Sequence, residues 1–312
     1  MVSFAFDEHH DSPAGMTNPI RQTKRIMNQP NPPLPRAADH AAPARRWPRT
    51  GNPPMFNATI AWHAAMVAGW VLTPVAWPWW LAGIFASHMV VVTIGLWPRS
   101  SLLGANWTRL PDTPRNADAV ALTIDDGPDP VVTPQVLDLL DAHGVRATFF
   151  CIGARAQRHP ALMREIVARG HAVENHSQVH VHTFSVTLPR GLTREIDAAQ
   201  HTLEALTGER PLFFRAPAGL RNVFLEPVLQ KLDLRLAAWT RRGFDTRERN
   251  PQRVLERLVD GLAARDILLL HDASAAKDAT GRPVVLDVLP RLIETVRARG
   301  LRFVTLREAR DA

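Results

Sequence analysis

The sequence predicts an α/β chain, a distorted, incomplete (β/α)7 barrel preceded by a transmembrane helical hairpin. Seven apolar stretches, at 119–124, 147–152, 171–174, 212–215, 233–239, 267–271 and 302–306, alternate mostly with amphipathic helical patterns, and such alternation makes a largely parallel sheet with covered faces. An uncharged apolar stretch runs from Ala58 to Leu96, broken only at Thr73-Pro74 and Trp77-Pro78. The 312 residues, 46% hydrophobic, suffice for one barrel domain of about 200 residues plus a hairpin and a tail.

Residues 1–54 hold ten prolines, and seven Lys or Arg against four Asp or Glu, the composition of a disordered, mildly basic tail with no packed core. No apolar signal-peptide core follows Met1, and Met55 is an alternative start. The hairpin is assigned to 55–98, with spans of about 58–75 and 77–96, near the roughly 20 residues that cross a bilayer core. Trp77, Trp79 and Trp80 fall near its turn and Trp97 at its far end, where interfacial aromatics sit. His63 and His88 are expected to make helix-packing hydrogen bonds. Arg45, Arg46 and Arg49 precede the hairpin, Arg99, Arg109 and Arg115 follow it, and the turn is uncharged. The positive-inside rule therefore sets both flanks in the cytoplasm. Residues 99–117 read as a linker and 118–312 as the catalytic domain.

Within that domain, Thr133-Pro134 and Asn250-Pro251 pair a cap residue with a first-turn proline. Gly144, Gly170, Gly208 and Gly300 stand where helices should stop. The chemistry concentrates just beyond the strands, where barrels of this type carry their active sites. Asp125 and Asp126 end the first apolar strand, in Thr123-Ile124-Asp125-Asp126-Gly127-Pro128. His176 and His180 are four apart, which puts both rings on one side of a helical turn. Two imidazoles and one carboxylate of the Asp pair make a three-ligand metal site with room for water. The other carboxylate can take the water's proton, and His271 of Leu268-Leu269-Leu270-His271-Asp272 can return one to a leaving group. Singly, each piece is a turn, a surface or capping histidine (as expected of His171 and His182), or a buried strand. In this order, each at a strand end, they point to hydrolysis.

These residues resemble the polysaccharide deacetylase family, the NodB-homology domain of carbohydrate esterase family four, over 118–307. The first motif matches Thr123 to Pro128, His-Ser/Thr-x-x-His matches His176 to His180, Arg-x-Pro-x-Gly matches Arg215 to Gly219, and Leu-x-x-His matches Leu268 to His271; Ala147-Thr148-Phe149-Phe150 also has the family's look. The resemblance implies Asp125 as general base and Asp126, His176 and His180 as ligands of a divalent metal, zinc first, then cobalt, nickel or manganese. It implies His271 as general acid, Arg215 to orient Asp125 and keep it ionised, and an oxyanion donor from the backbone near Pro217 to Gly219. Two departures stand out. Ala218 replaces an aromatic residue of the sugar pocket. The segment usually reading Asp-x-x-Asp-Trp is here Trp239-Thr240-Arg241-Arg242-Gly243-Phe244-Asp245-Thr246, where Asp245 is the candidate carboxylate to orient His271.

The expected activity is metal-dependent removal of an N-acyl group, acetyl first, from an amino sugar in a polysaccharide or lipid-linked glycan. The alternatives are deformylation of a polyprenyl-linked amino sugar and a catalytically silent carbohydrate-binding protein. Family members acting on wall glycan work outside the cytoplasm, so a periplasmic or external catalytic domain competes with the charge rule. The net charge of +7 sits largely in the tail and in Arg99 and Arg109. No basic and aromatic stripe remains to suggest nucleic acid, and anionic headgroups near the juxtamembrane arginines are the better partner. The single Cys151 excludes an internal disulfide and reads as a buried thiol.

Overall fold

A computed structural model describes residues 47–48 and 51–311, so most of the expected tail lies outside the described residues. Two helices come first, α1 (Pro54–Leu72) and α2 (Trp77–Gly95), joined by a 3-10 turn at Pro74–Ala76. Proline stands in the first turn of each, where its fixed φ suits the helix and its missing N–H leaves no bond unmade. The first helix ends at Leu72 rather than 75 because a residue before proline, here Thr73, avoids the helical conformation. Nineteen residues each give about 28 Å at ~1.5 Å per residue, close to the ~30 Å hydrocarbon thickness of a bilayer. No residue of α1 and only Gly95 of α2 is buried. Ile60, Val67, Phe85 and Val90 stand exposed, and a surface apolar on all sides suits lipid rather than water. His63 Nε2 and His88 Nδ1 meet across the hairpin at 3.4 Å.

The remainder folds as a curled parallel sheet. Its strands are β1 (Asn106–Trp107), β2 (Ala119–Asp125), β3 (Thr148–Cys151), β4 (Ala172–Asn175), β5 (Phe213–Phe214), β6 (Arg235–Ala237), β7 (Arg241–Arg242), β8 (Ile267–His271) and β9 (Arg302–Val304). They pair in the order β1-β6-β5-β4-β3-β2-β8-β7, with β9 on the first half of β2. The ends do not pair with each other, which leaves the barrel incomplete. Edge strands β1 and β7 are two residues long, too short to leave a periodic signal. The intervening helices are α3 (Val132–Ala142), α4 (Gly153–Arg158), α5 (Pro160–Ala168), α6 (Pro189–Thr207), α7 (Leu225–Lys231), α8 (Pro251–Val259), α9 (Val284–Ala298) and α10 (Leu306–Arg310).

Strand parity sorts chemistry from packing. On β2, Val120, Leu122 and Ile124 join the outer core with Val136 and Leu140 of α3 and Leu289 and Ile293 of α9. Ala119 and Ala121 face the inner cluster with Phe150, Phe213 and Leu269, because successive side chains alternate across a strand. Asp125 and His271 continue the inward rows of β2 and β8, and the register sets them directly opposite.

Several sequence expectations change. Trp47, assigned to a coreless tail, donates its backbone N–H to Asp233 Oδ1 and its indole Nε1–H to the Leu212 carbonyl, both at 3.0 Å, and packs edge-on against Phe213. The supposed linker 99–117 supplies β1, buries Leu103 and Leu110, and ties Arg109 to the buried Asp266 at 2.7 Å. Its apolar residues, spaced among prolines, had shown no period. Helix α3 starts at Val132, and Asp129 rather than Thr133 satisfies its first N–H groups, accepting from Val131 and Val132 at 2.9 and 2.8 Å. Asn250 caps α8 as expected, accepting from the Gln252 N–H at 2.9 Å. His171 is buried, not at the surface, and its Nδ1 accepts from the Ala147 N–H; burial pushes its pKa down to about 4. Gly144, Gly170, Gly208 and Gly300 all take the left-handed φ that ends a helix, and Cys151 is buried.

Candidate active site

Two carboxylates leave the end of β2 in different directions. Asp125, buried and inward, accepts from Arg215 Nη1 at 2.6 Å. Arg215 follows β5 and is itself buried, donating to Thr123 Oγ1 at 2.8 Å and to the Ala237 and Ala238 carbonyls at 3.0 and 2.8 Å. Its guanidinium lies 4.0 Å over the Phe150 ring. Burial depresses its proton affinity and Asp125 opposes that. A buried charge so fully satisfied holds its partner in one orientation.

Asp126 turns the chain at φ 76° and meets His176 Nε2 at 3.3 Å and His180 Nε2 at 3.5 Å through one oxygen. Its other oxygen accepts from the Ser274 hydroxyl. Burial opposes its ionisation, but the hydrogen bond and charge of His176, with smaller help from His271 and Ser274, hold its pKa well below the usual carboxylate range. His176 Nδ1 donates to the Arg215 carbonyl at 2.9 Å, which aims its Nε2 at the Asp126 oxygen. A backbone partner on the far nitrogen is the usual support of a metal-binding imidazole. Asp126, His176 and His180 bring one ligand atom each within 4.8 Å of one another, so the residues fit a divalent metal.

The helical turn expected at 176–180 is not formed. Residues 176–180 are an irregular loop after β4, with Ser177 and His180 at φ 65° and 54°. Asn175 Oδ1 accepts from the Ser177 N–H at 2.8 Å, Ser177 Oγ from the His180 N–H at 3.0 Å, and Glu195 Oε2 from the Val179 N–H at 3.2 Å. These local acceptors replace the helical bonds, as short polar side chains do, and the rings still meet with centroids 4.9 Å apart. Left-handed backbone at non-glycine residues costs on the order of 1 kcal/mol each. Asp126, Ser177, His180, Ala218 and Phe244 all adopt it around this cleft, a concentration of strain typical of functional sites.

At the end of the neighbouring strand β8, His271 Nδ1 lies 2.9 Å from Asp245 Oδ1, and the His271 N–H donates to Asp245 Oδ2 at 2.7 Å. Both residues are buried. Burial disfavours the charged ring, but Asp245, by charge and hydrogen bond, with Asp125 and Asp126 behind it, raises the His271 pKa to about 9. Sequence reasoning missed Ser274, Asn175 and Glu195, and named Asp272 beside His271 without a role of its own; Asp272 accepts from Thr133 Oγ1 at 2.5 Å, and burial pushes its pKa up to about 7. The Asp272 carboxyl lies within 2.5 Å of where a Cβ on Gly127 would stand, so the glycine of the first motif is required for space. Only Asp272, beside His271, carried a signal that could have been read from the chain.

The family model described as polysaccharide deacetylase matches residues 112–237. A peptidoglycan-N-acetylglucosamine deacetylase of Bacillus cereus is 32% identical over 199 residues, covering 63% of this chain and 90% of that protein. A chitooligosaccharide deacetylase of Sinorhizobium fredii is 34% identical over 206 residues, covering 61% and 91%. The structure of a family 4 carbohydrate esterase from Streptomyces lividans in complex with acetate superposes with a TM-score of 0.54 at 30% identity, covering 60% of this chain and 91% of that one.

Proposed function

The chain belongs to the polysaccharide deacetylase family, hydrolases of carbon–nitrogen bonds other than peptide bonds, and on that premise we propose that it removes the N-acetyl group from an amino sugar of a glycan or lipid-linked glycan. The carrying observation is that Asp125, held by Arg215, and His271, held by Asp245, are register partners at the ends of paired strands, with the Asp126, His176, His180 cluster beginning at the next residue. Asp126, His176 and His180 would hold a divalent cation, which when bound would supply Lewis acidity and a lowered pKa for a water in the cleft. Two imidazoles and a carboxylate suit zinc, with cobalt, nickel or manganese as alternatives. Asp125, steadied by Arg215, takes the proton of the attacking water. His271, protonated against Asp245, donates to the departing amine nitrogen. Of the residues proposed to offer an oxyanion donor, Pro217 has no N–H and that of Gly219 donates to the Ala216 carbonyl, which leaves the N–H of Ala218, held at φ 54°.

The acetate bound by the Streptomyces lividans relative favours acetyl over formyl as the group released. A silent sugar-binding role draws no support, since every residue of the proposed mechanism is present and packed. The test is acetate and formate release by the purified chain from N-acetylglucosamine oligomers and from a polyprenyl-phosphate-linked N-acetyl amino sugar, with and without added zinc or cobalt. Metal-dependent acetate from at least one substrate is expected, and formate in its place, or no release from either, overturns the proposal.

Both helices are long and apolar enough to span a membrane, and the arginines at the two flanks favour a cytoplasmic catalytic domain. A C-terminal fluorescent-protein fusion is then expected to fluoresce and an alkaline phosphatase fusion to stay inactive; the opposite pair puts the barrel outside.

A further inference from the structure

A groove of about 430 Å³ opens beside the root of the hairpin. Trp97, Pro98 and Arg99, the residues just beyond α2, form one wall. The other is the 239–244 segment with Arg257, and this segment leads straight into Asp245. The two walls touch at the third motif, where a Cβ on Gly219 would stand 2.5 Å from Trp239 and 2.8 Å from Pro98. Whatever fills the groove therefore borders the cleft on one side and the membrane-entry residues on the other.

Its lining is cationic and aromatic, without a carboxylate. Two of its four arginines already have acidic partners, Arg241 in Asp266 at 2.5 Å, a carboxylate shared with Arg109, and Arg257 in Glu248 at 3.2 Å. The other two have no acidic partner among the described residues. Arg99 makes one hydrogen bond, to the Thr240 carbonyl at 3.1 Å. Arg242 stacks between Trp239 and Phe244, its guanidinium 5.3 and 5.1 Å from the ring centroids, and its buried Nε–H finds no acceptor among the described residues. An unmade bond of that kind leaves the Arg242 charge poorly compensated in the free chain, which favours an anion in the groove beside it. Because Arg242 pairs with Leu269 in register, it lies one strand over from the inward row that ends at His271, near enough for its charge to act on Arg215.

We infer that this groove binds the phosphate of a membrane-embedded glycosyl phosphate, with Arg242 and Arg99 as its positioning residues, so that the amino sugar enters the cleft as a lipid headgroup. This rests on the N-deacetylation reading and narrows its substrate. Two unneutralised guanidiniums match the charge and fork geometry of a phosphate, the exposed Trp97 offers a flat face to a sugar ring, and the hairpin root is where a lipid-linked phosphate would lie at a bilayer surface.

The test uses the full chain in nanodiscs and compares polyprenyl-phosphate N-acetylglucosamine with N-acetylchitotetraose. For Arg242→Gln, and separately Arg99→Gln, the ratio of kcat/KM on the phosphate-bearing substrate to that on the neutral one is expected to fall about tenfold or more, carried by KM; an unchanged ratio overturns the inference. If the unaltered chain cleaves neither substrate, the deacetylation reading falls and the groove is judged by calorimetric titration with inorganic phosphate. Binding weakened about tenfold in Arg242→Gln upholds a phosphate site, and equal affinity in both chains rejects it. Weaker association of the variants with phosphatidylglycerol vesicles at an unchanged kcat/KM ratio would assign the arginines to bilayer headgroups and also overturn the inference.

Discussion

Asp125→Asn is expected to lower kcat by about 10³-fold while the metal content of the purified chain stays at its original level, whereas His176→Ala loses activity and metal together. The size follows from deleting a general base, a change of roughly 10²–10⁴-fold. The separation follows from geometry: Asp125 leans on Arg215 at 2.6 Å, while Asp126 is the carboxylate that meets His176 and His180. Asparagine fills the same volume and can still accept from Arg215, but it cannot take a proton from water. Arg215 is buried and loses a charge partner, so the variant is also expected to be less stable by about 3 kcal/mol. Denaturant titration and far-UV dichroism therefore accompany elemental analysis and acetate release. Equal metal in the two variants, or more than a tenth of the activity left in Asp125→Asn, would reverse the assignment of base and ligand.

Asp245→Asn is expected to reduce kcat about a hundredfold and to shift the pH profile. His271 must be protonated to donate to the amine, so activity falls as pH rises through its pKa. Burial works against the charged ring, and the charge and hydrogen bond of Asp245, ahead of the more distant Asp125 and Asp126, lift that pKa to about 9. Removing the Asp245 charge lowers it, and the alkaline limb should move to lower pH, towards the ordinary histidine range near 6.5. The asparagine can still accept from the His271 N–H, which limits any structural loss. A limb that stays in place while kcat falls would reduce Asp245 to packing alone.

How much of this was legible in the chain varied with the distance over which each signal acts. Strands β2 and β8 were plain as apolar runs because both of their faces are covered, and the glycines ending four helices were plain because a left-handed residue is a local requirement. Strands β1 and β7 were not, since two residues carry no period. Trp47 was lost in a proline-rich stretch, although its ring packs on Phe213 far along the chain. The spacing of His176 and His180 picked out two rings that do lie together, but by the wrong geometry. Four residues bring rings together in a helix, but Asn175, Ser177 and Glu195 bend this segment into a loop with the same outcome.

By itself the sequence determined which chemistry is present: the acidic pair, the histidines, the arginine and the strands that carry them, together with two helices that no charged residue interrupts. These follow from residue type and short-range order, which the chain states directly. Only the tertiary structure decided which carboxylate faces Arg215 and which the histidines, that Asp245 reaches His271, that Ser274 serves Asp126, and that the Nε–H of Arg242 is left without an acceptor among the described residues. Those outcomes depend on strand register, side-chain parity and loop closure between segments from 26 to 148 residues apart, and such pairings arise only when the sheet curls around them.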